Sequence, residues 1–186
     1  MQREIIWERA DGVGTEHLRV AFEDGVRAAG VAVGVDDAPF SVSYRIRCDE
    51  SERVRSIRVE RCDGTDSLEL EHDGDGTWTD GDGDPIPELA RCLDLDVAVT
   101  PFTNTIPIRR LGLPGGESRD LRVAYVDASR MSVRAADQRY TCLSELDADG
   151  GRFRYENTAS GFTAEIPVDA DGVVRDYPGL FRRAFP

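Results

Sequence analysis

The sequence predicts an all-β domain interrupted by one unusual segment, and three observations support this prediction. Apolar residues alternate with polar or charged residues along most of the chain, which is typical of strands that bury one face. These segments recur about every 8 to 12 residues and are separated by turns rich in Asp and Gly, as in sandwiches, barrels and rolled sheets. The alternation stops at Pro101, which lacks a backbone N–H and has a fixed φ.

The length and hydropathy of the chain favour one domain that does not span a membrane. With 186 residues the chain can bury a sizeable core, and no segment has the composition of a linker, so we expect a single domain over residues 1–186. No apolar run approaches the roughly 20 residues that cross a bilayer, and the first residues resemble no export signal. We therefore expect a cytoplasmic protein.

The first half of the chain shows the alternation most clearly. Val42, Tyr44 and Ile46 share one face of a strand over residues 41–48, and Ser and Arg occupy the other face. Further strands are predicted over residues 5–7, 16–22 and 26–35, around Ile57, over residues 68–72 and at Trp78. A helix over residues 23–32 is the alternative to the third of these strands. The second half predicts strands over residues 121–127, 131–135, 138–143, 153–157, 162–168 and 173–177.

The unusual segment, residues 91–111, changes from strand to helix. Thr100 followed by Pro101 is typical of a helix N-cap and first turn. Ile106, Ile108 and Leu111 supply the apolar positions that a short helix would bury. Residues 100 and 101 should therefore begin the helix.

Four charged residues flank this turn and allow two interpretations. Asp94 and Asp96 point to the same side of the preceding strand, roughly 6 to 7 Å apart, and Arg109 and Arg110 follow the turn. The favoured interpretation is structural: the carboxylates hold the helix by capping it or by pairing with the arginines. The alternative is a hydrolase in which the two carboxylates act as acid and base on a glycoside or an ester.

Two further polar residues of the segment, Thr103 and Asn104, are expected to serve local backbone hydrogen bonds. We therefore assign them a structural role rather than contact with a ligand.

The charge of the chain excludes nucleic acid as a partner. Its net charge is -13, and such a surface repels polyanions, acidic lipid surfaces included. All 23 basic residues are Arg, and most acidic residues are Asp. This composition indicates a surface adapted to high salt, since salt screens the repulsion between like charges.

No metal site or cofactor is predicted. The cysteines form no close pair, and a reducing compartment leaves them as thiols, buried or half-buried, at Cys48, Cys62, Cys92 and Cys142. Asp80, Asp82 and Asp84 alternate as in an EF-hand, but Pro85 replaces the glycine at the sixth position and Arg91 the glutamate at the twelfth. These aspartates are better explained as solvated turns.

Several motifs resemble one family. The run Cys92-x-Asp94-x-Asp96 followed by TPFTNTIPIRRL over residues 100–111 resembles the signature of the putative glycolipid-binding proteins, a bacterial and archaeal family. Shorter matches are Ile6-Trp7, DGTW at residues 75–78, QRYT at residues 138–141 and VRDYPGLF at residues 174–181. The resemblance spans almost the whole chain.

The resemblance implies a spiral β-roll, in which a long antiparallel sheet wraps around a single central helix, and a homodimer. It also implies non-catalytic binding of a glycolipid or another amphipathic small molecule, and it provides no catalytic residues. We expect an apolar groove beside the helix, with Arg109 or Arg110 meeting an anionic or sugar head group. The residues expected to line this groove are Trp7, Tyr44, Trp78, Phe102 and Tyr140. Core packing is the alternative role for these aromatic residues, and a dimeric interaction module without a ligand is the alternative function.

Overall fold

The computed structural model describes residues 2–186, and most of them lie in strands. In chain order the strands are β1 (Gln2–Arg9), β2 (Gly14–Ala21), β3 (Val26–Val35), β4 (Pro39–Cys48), β5 (Val54–Arg61), β6 (Ser67–His72), β7 (Trp78–Asp80), β8 (Asp94–Val97), β9 (Ser118–Asp127), β10 (Ser132–Asp147), β11 (Gly150–Asn157), β12 (Thr163–Val168), β13 (Asp176–Tyr177) and β14 (Phe181–Phe185).

The strands form two open sheets. The larger sheet has nine strands in the order β13-β14-β1-β2-β3-β4-β5-β6-β7, and all of its pairs are antiparallel. The smaller sheet has five strands in the order β12-β11-β10-β9-β8, in which β8 pairs parallel to β9. An isolated bridge between Val168 and Val174 connects the end of β12 to the chain that leads into β13.

One α-helix, α1 (Thr105–Leu111), is present among residues 2–186, and a 3-10 helix (Pro101–Asn104) leads directly into it. The Oγ1 of Thr100 accepts the backbone N–H of Phe102 at 3.1 Å and so caps the first turn. Gly112 ends α1 in the left-handed conformation with φ of 51°, where glycine is favoured. A shorter 3-10 helix (Pro87–Leu89) follows β7.

Both sheets and α1 share one contiguous core. Ile106 and Ile108 of α1 are buried in the same cluster as Ile46 of the larger sheet and Ile166 of the smaller one. The core of residues 2–186 is therefore continuous across both sheets, and the single domain over residues 1–186 stays a prediction. The mainly-β prediction, with a long antiparallel sheet and a single short helix, is confirmed.

The structure differs from the sequence prediction in several places. The strand predicted over residues 173–177 is limited to Asp176–Tyr177. β10 is one strand of 16 residues where two were predicted, because Ala136 is buried and Asp137 exposed, so the alternation continues through both residues. β14 was not predicted, yet it pairs with β1 and brings the C-terminal segment beside the N-terminal strand. Residues 26–35 form β3, so the alternative helix over residues 23–32 is wrong.

Candidate ligand-binding site

Asp96 lies at the end of β8 and is held by two side chains. Thr103 Oγ1 donates to its Oδ1 at 3.2 Å, and Gln138 Nε2 donates to its Oδ2 at 2.6 Å. Burial raises the pKa of Asp96 above its ordinary value of 3.8, and these two hydrogen bonds oppose that shift. The carboxyl group is therefore oriented by neighbours that carry no charge.

Asn104 is held in a similar way at the end of the 3-10 helix. Tyr140 donates its hydroxyl proton to Asn104 Oδ1 at 2.7 Å, and Asn104 Nδ2 donates to the carbonyl of Pro101 at 3.0 Å. An amide NH₂ has two hydrogens, so one donor of Asn104 is left for a further partner. Asn104 is 4% exposed and Tyr140 is 2% exposed, so both lie inside the fold.

An open cavity of about 290 Å³ lies beside this 3-10 helix. Asp96, Thr100 and Asn104 form its polar floor. Its walls and rim come mainly from β9, β11, the turn before β12, and the β13–β14 hairpin. They include Tyr125, Tyr155, Asn157, Ser160, Phe162, Tyr177, Leu180 and Phe181.

The aromatic wall consists of three rings in mutual contact. The Tyr155 ring lies 5.9 Å from that of Tyr177 and 6.2 Å from that of Phe162, and the last two are 6.3 Å apart, measured between centroids. Phe162 is 37% exposed and Leu180 is 41% exposed, which places both at the mouth of the cavity. The site thus has a buried polar end and an apolar opening.

Three of the four charged residues that flank the turn, Asp94, Arg109 and Arg110, pair with oppositely charged groups and do not line this cavity. Asp94 is 1% exposed and accepts from Arg110 Nε at 3.1 Å and from Nη2 at 2.6 Å. Arg109 Nε donates to both carboxylate oxygens of Glu52, at 2.9 and 3.0 Å. Of the two carboxylates in the hydrolase interpretation, only Asp96 lines the cavity.

The five aromatic residues predicted to line a groove are buried in the core, each at most 2% exposed. Trp7 Nε1 donates to the carbonyl of Val174 at 3.0 Å, and Trp78 Nε1 donates to that of Cys92 at 2.8 Å. Phe102 is fully buried in the same core. None of the five is among the lining residues of the cavity, so their contact with a ligand stays a prediction.

A second polar cluster lies behind the floor of the cavity. Glu16 of β2 is fully buried, and Tyr44 donates its hydroxyl proton to Glu16 Oε1. The hydroxyl oxygens of Tyr44 and Thr100 lie 3.2 Å apart, within hydrogen-bond distance. Glu16 Oε2 has no hydrogen-bond partner among the described residues. Burial raises the pKa of Glu16 to about 8, although its hydrogen bonds with Tyr44 and Thr100 lower it.

Sequence reasoning missed Glu16 and most of the cavity. The signal for Glu16 was present, because the residue shares the parity of Leu18 and Val20 on a strand whose face is buried. No comparable signal marks Tyr155, Phe162 or Tyr177. They lie on separate strands and turns that only the tertiary fold brings together.

No metal centre appears in the part of the chain that the structure describes, since no three His, Cys, Asp or Glu residues there are arranged to hold an ion. All four cysteines are free, and Cys62 is exposed, which corrects the expectation that every thiol is at least half-buried. Within residues 2–186 no helix has the length and apolar character required to cross a bilayer.

The fold and the cavity define a class of mainly-β proteins with two open sheets and a cavity that is polar at its base and aromatic along its walls. Comparison with known proteins identifies the family. Residues 4–183 match the family model described as "Putative glycolipid-binding". The chain therefore belongs to the putative glycolipid-binding family.

A solved structure supports this assignment. The crystal structure of a DUF1089 family protein from Pseudomonas aeruginosa is 39% identical, with a TM-score of 0.78, and the match covers 90% of this chain and 91% of that one. No curated protein matches the chain.

Proposed function

We propose that this protein binds, without catalysis, a glycolipid or a similar amphipathic molecule whose head group lies in the cavity beside the 3-10 helix. The observation that carries the proposal is the polarity of the site. Its floor carries buried Asn104 and half-buried Asp96, and its mouth is formed by exposed Phe162 and Leu180. Binding sites commonly combine apolar walls with a few placed polar groups in this way.

The size of the cavity determines how such a ligand would lie. A volume of about 290 Å³ accommodates a head group the size of one sugar ring but not a long acyl chain as well. The acyl chain of the ligand would therefore leave through the mouth of the cavity and lie against Phe162 and Leu180. Each buried CH₂ contributes about 0.8 kcal/mol, so the contact at the rim adds to affinity.

Binding without catalysis is the form of the proposal that the geometry supports. An acid–base pair needs two carboxyl groups at the reacting bond, and Asp94 is instead engaged with Arg110 away from the lining. The hydrolase alternative predicts an activity that Asp96→Asn abolishes while the fold is retained.

Native mass spectrometry of the purified protein tests the proposal directly. We expect a stoichiometric lipid adduct whose occupancy falls in Phe162→Ala, because that substitution removes an aromatic ring from the mouth. Phe185→Ala is the matched control, since Phe185 is 53% exposed and does not line the cavity. A clean apo mass, with no lipid in the organic extract, would refute lipid binding. Equal losses of lipid occupancy in the two variants would refute binding in this cavity.

We also propose a homodimer that uses the outer face of β3. Val31, Val33 and Val35 on this face are 45%, 40% and 39% exposed, and such a row of apolar side chains is typical of an interaction surface. Light scattering should give twice the monomer mass, and Val33→Asp should reduce it to the monomer mass. A wild-type monomer at micromolar concentration would contradict this proposal.

Adaptation to high salt and a cytoplasmic location remain proposals as well. The charge of -13 without any Lys supports the first, and four free cysteines suit a reducing compartment. We expect the free energy of unfolding to rise with KCl concentration into the molar range, and cell fractionation to recover the protein with cytoplasmic markers.

A further inference from the structure

We infer that the cavity selects an uncharged, hydroxyl-rich head group and rejects an anionic one. This inference rests on the proposed function, and it replaces the anionic head group that Arg109 or Arg110 would have met. It is carried by the charge of the lining residues and by the way Asp96 is held.

The first observation is the absence of a cation. None of the lining residues among residues 2–186 is Arg, Lys or His, although the chain has 23 Arg. Arg109 is engaged with Glu52 and with the carbonyl of Asp171, and Arg110 with Asp94. Proteins that recognise phosphate or carboxylate groups usually place such guanidinium groups in direct contact with them, and this cavity has none.

The nearest candidate for such a role is Arg134 of β10. Its guanidinium lies over the ring of Tyr125, 4.5 Å from the centroid, and it is not a lining residue. Tyr125 itself lines the cavity, so the arginine stacks on a wall residue without being part of the wall. We therefore expect Arg134 to contribute little to head-group recognition.

The second observation is the free capacity of Asp96. Each of its carboxylate oxygens accepts one proton from Thr103 or Gln138, and an ionised carboxylate oxygen can accept about two. Each oxygen can therefore take a further hydroxyl proton from a ligand. The charged oxygens of an anionic head group have no proton to donate and would face the ionised carboxylate of Asp96 in a site of low polarity, where repulsion is strong.

The third observation distinguishes a polyol from a simple cation. Besides Asp96, the lining contains the amides of Asn104 and Asn157 and the hydroxyl of Ser160. Hydrogen-bonding groups spread over several elements match a ring with several hydroxyl groups, which both donate and accept. An ammonium group only donates, so it would leave the amide donors of the lining without an acceptor. The faces of the wall tyrosines would cover the apolar C–H surface of such a ring.

Three ligands with the same chain test the inference on the wild-type protein. Octyl β-glucoside, octyl phosphate and octylammonium would be titrated below their micelle concentrations, with binding followed by calorimetry and by NMR shifts of the residues around Phe162. We expect the glucoside to bind at least about tenfold more tightly than either charged ligand. Octyl phosphate or octylammonium binding as tightly as the glucoside would overturn the inference.

One variant tests whether Asp96 causes the discrimination against anionic head groups. In Asp96→Asn, checked for folding by its melting temperature, octyl phosphate should gain affinity relative to the glucoside, because the repulsion is removed. Arg134→Gln is the control and should leave the ratio unchanged, whereas loss of phosphate binding in that variant would show that Arg134 recruits anions and would overturn the inference.

The outcome separates this inference from the proposed function. If octyl phosphate binds in the cavity and the glucoside does not, the protein still binds amphipathic molecules, and only the choice of head group is wrong. If no octyl ligand shifts the cavity residues, both are wrong.

Discussion

Glu16→Gln is expected to change how the stability of this protein depends on pH. Glu16 is fully buried, and burial raises its pKa from the ordinary value of 4.5 to about 8. Between these two values the folded protein retains a proton that the unfolded chain releases. The free energy of unfolding contributed by this residue therefore falls as pH rises through that window and is constant above about pH 8.

The size of the effect follows from the slope of the free energy of unfolding against pH. One proton difference corresponds to about 1.4 kcal/mol per pH unit, so the contribution of Glu16 should fall by roughly 4 kcal/mol between pH 5 and pH 8. Glutamine has nearly the same shape and does not titrate, so the variant loses this slope. Its buried amide leaves donors unpaired, which costs about 1 to 3 kcal/mol at every pH. We expect the variant to be less stable than wild type at pH 5 and more stable at pH 8.

Urea denaturation of both proteins at several pH values, at constant high salt, measures the difference directly. Other carboxylates contribute equally to both curves and cancel in the subtraction. Glu4→Gln is the control, because the hydrogen bond with Arg19 lowers the pKa of Glu4 below its ordinary value of 4.5. The stability that Glu4 contributes therefore changes only below about pH 4.5, and the wild-type minus Glu4→Gln difference should be flat from pH 5 to pH 8. A wild-type minus Glu16→Gln difference that is flat from pH 5 to pH 8 would refute the reasoning that burial keeps Glu16 protonated.

Two further substitutions test the packing around the central segment. Arg110→Gln leaves Asp94 buried without its cation and should lower the free energy of unfolding by about 3 to 5 kcal/mol in urea denaturation. Arg139→Gln, which breaks an exposed ion pair, should lower it by at most about 1 kcal/mol. Equal losses in the two variants would contradict a structural role for the buried pair. Gly30→Ala places a Cβ 2.5 Å from the ring of Tyr44 and should lower stability by about 1 to 3 kcal/mol; an unchanged melting temperature would show that the ring moves freely.

Strands β2, β3, β4 and β6 of the larger sheet could be predicted closely, because their signal is local. β3 begins and ends at the predicted residues. The alternation of apolar and polar residues can be read from neighbouring positions in the sequence. Asp and Gly indicate the turns because their own backbone preferences favour turn conformations.

The central segment was predictable for the same reason. Thr100 and Pro101 begin the helical turn where the local capping chemistry places it, and Gly112 ends α1. The parallel pairing of β8 with β9 was not predicted, because the choice between parallel and antiparallel partners depends on how distant strands are arranged.

The sequence by itself therefore determined the all-β class, most strands of the larger sheet, the position of the helix and, through its motifs, the family. Only the tertiary structure decided which residues surround a cavity. Asp96 and Asn104 come from the recognisable segment, but Tyr155, Phe162 and Tyr177 reach them from β11, the turn before β12, and β13. Such a site results from contacts between residues far apart in the chain. The local conformational preference of each residue does not depend on those contacts and therefore cannot predict them.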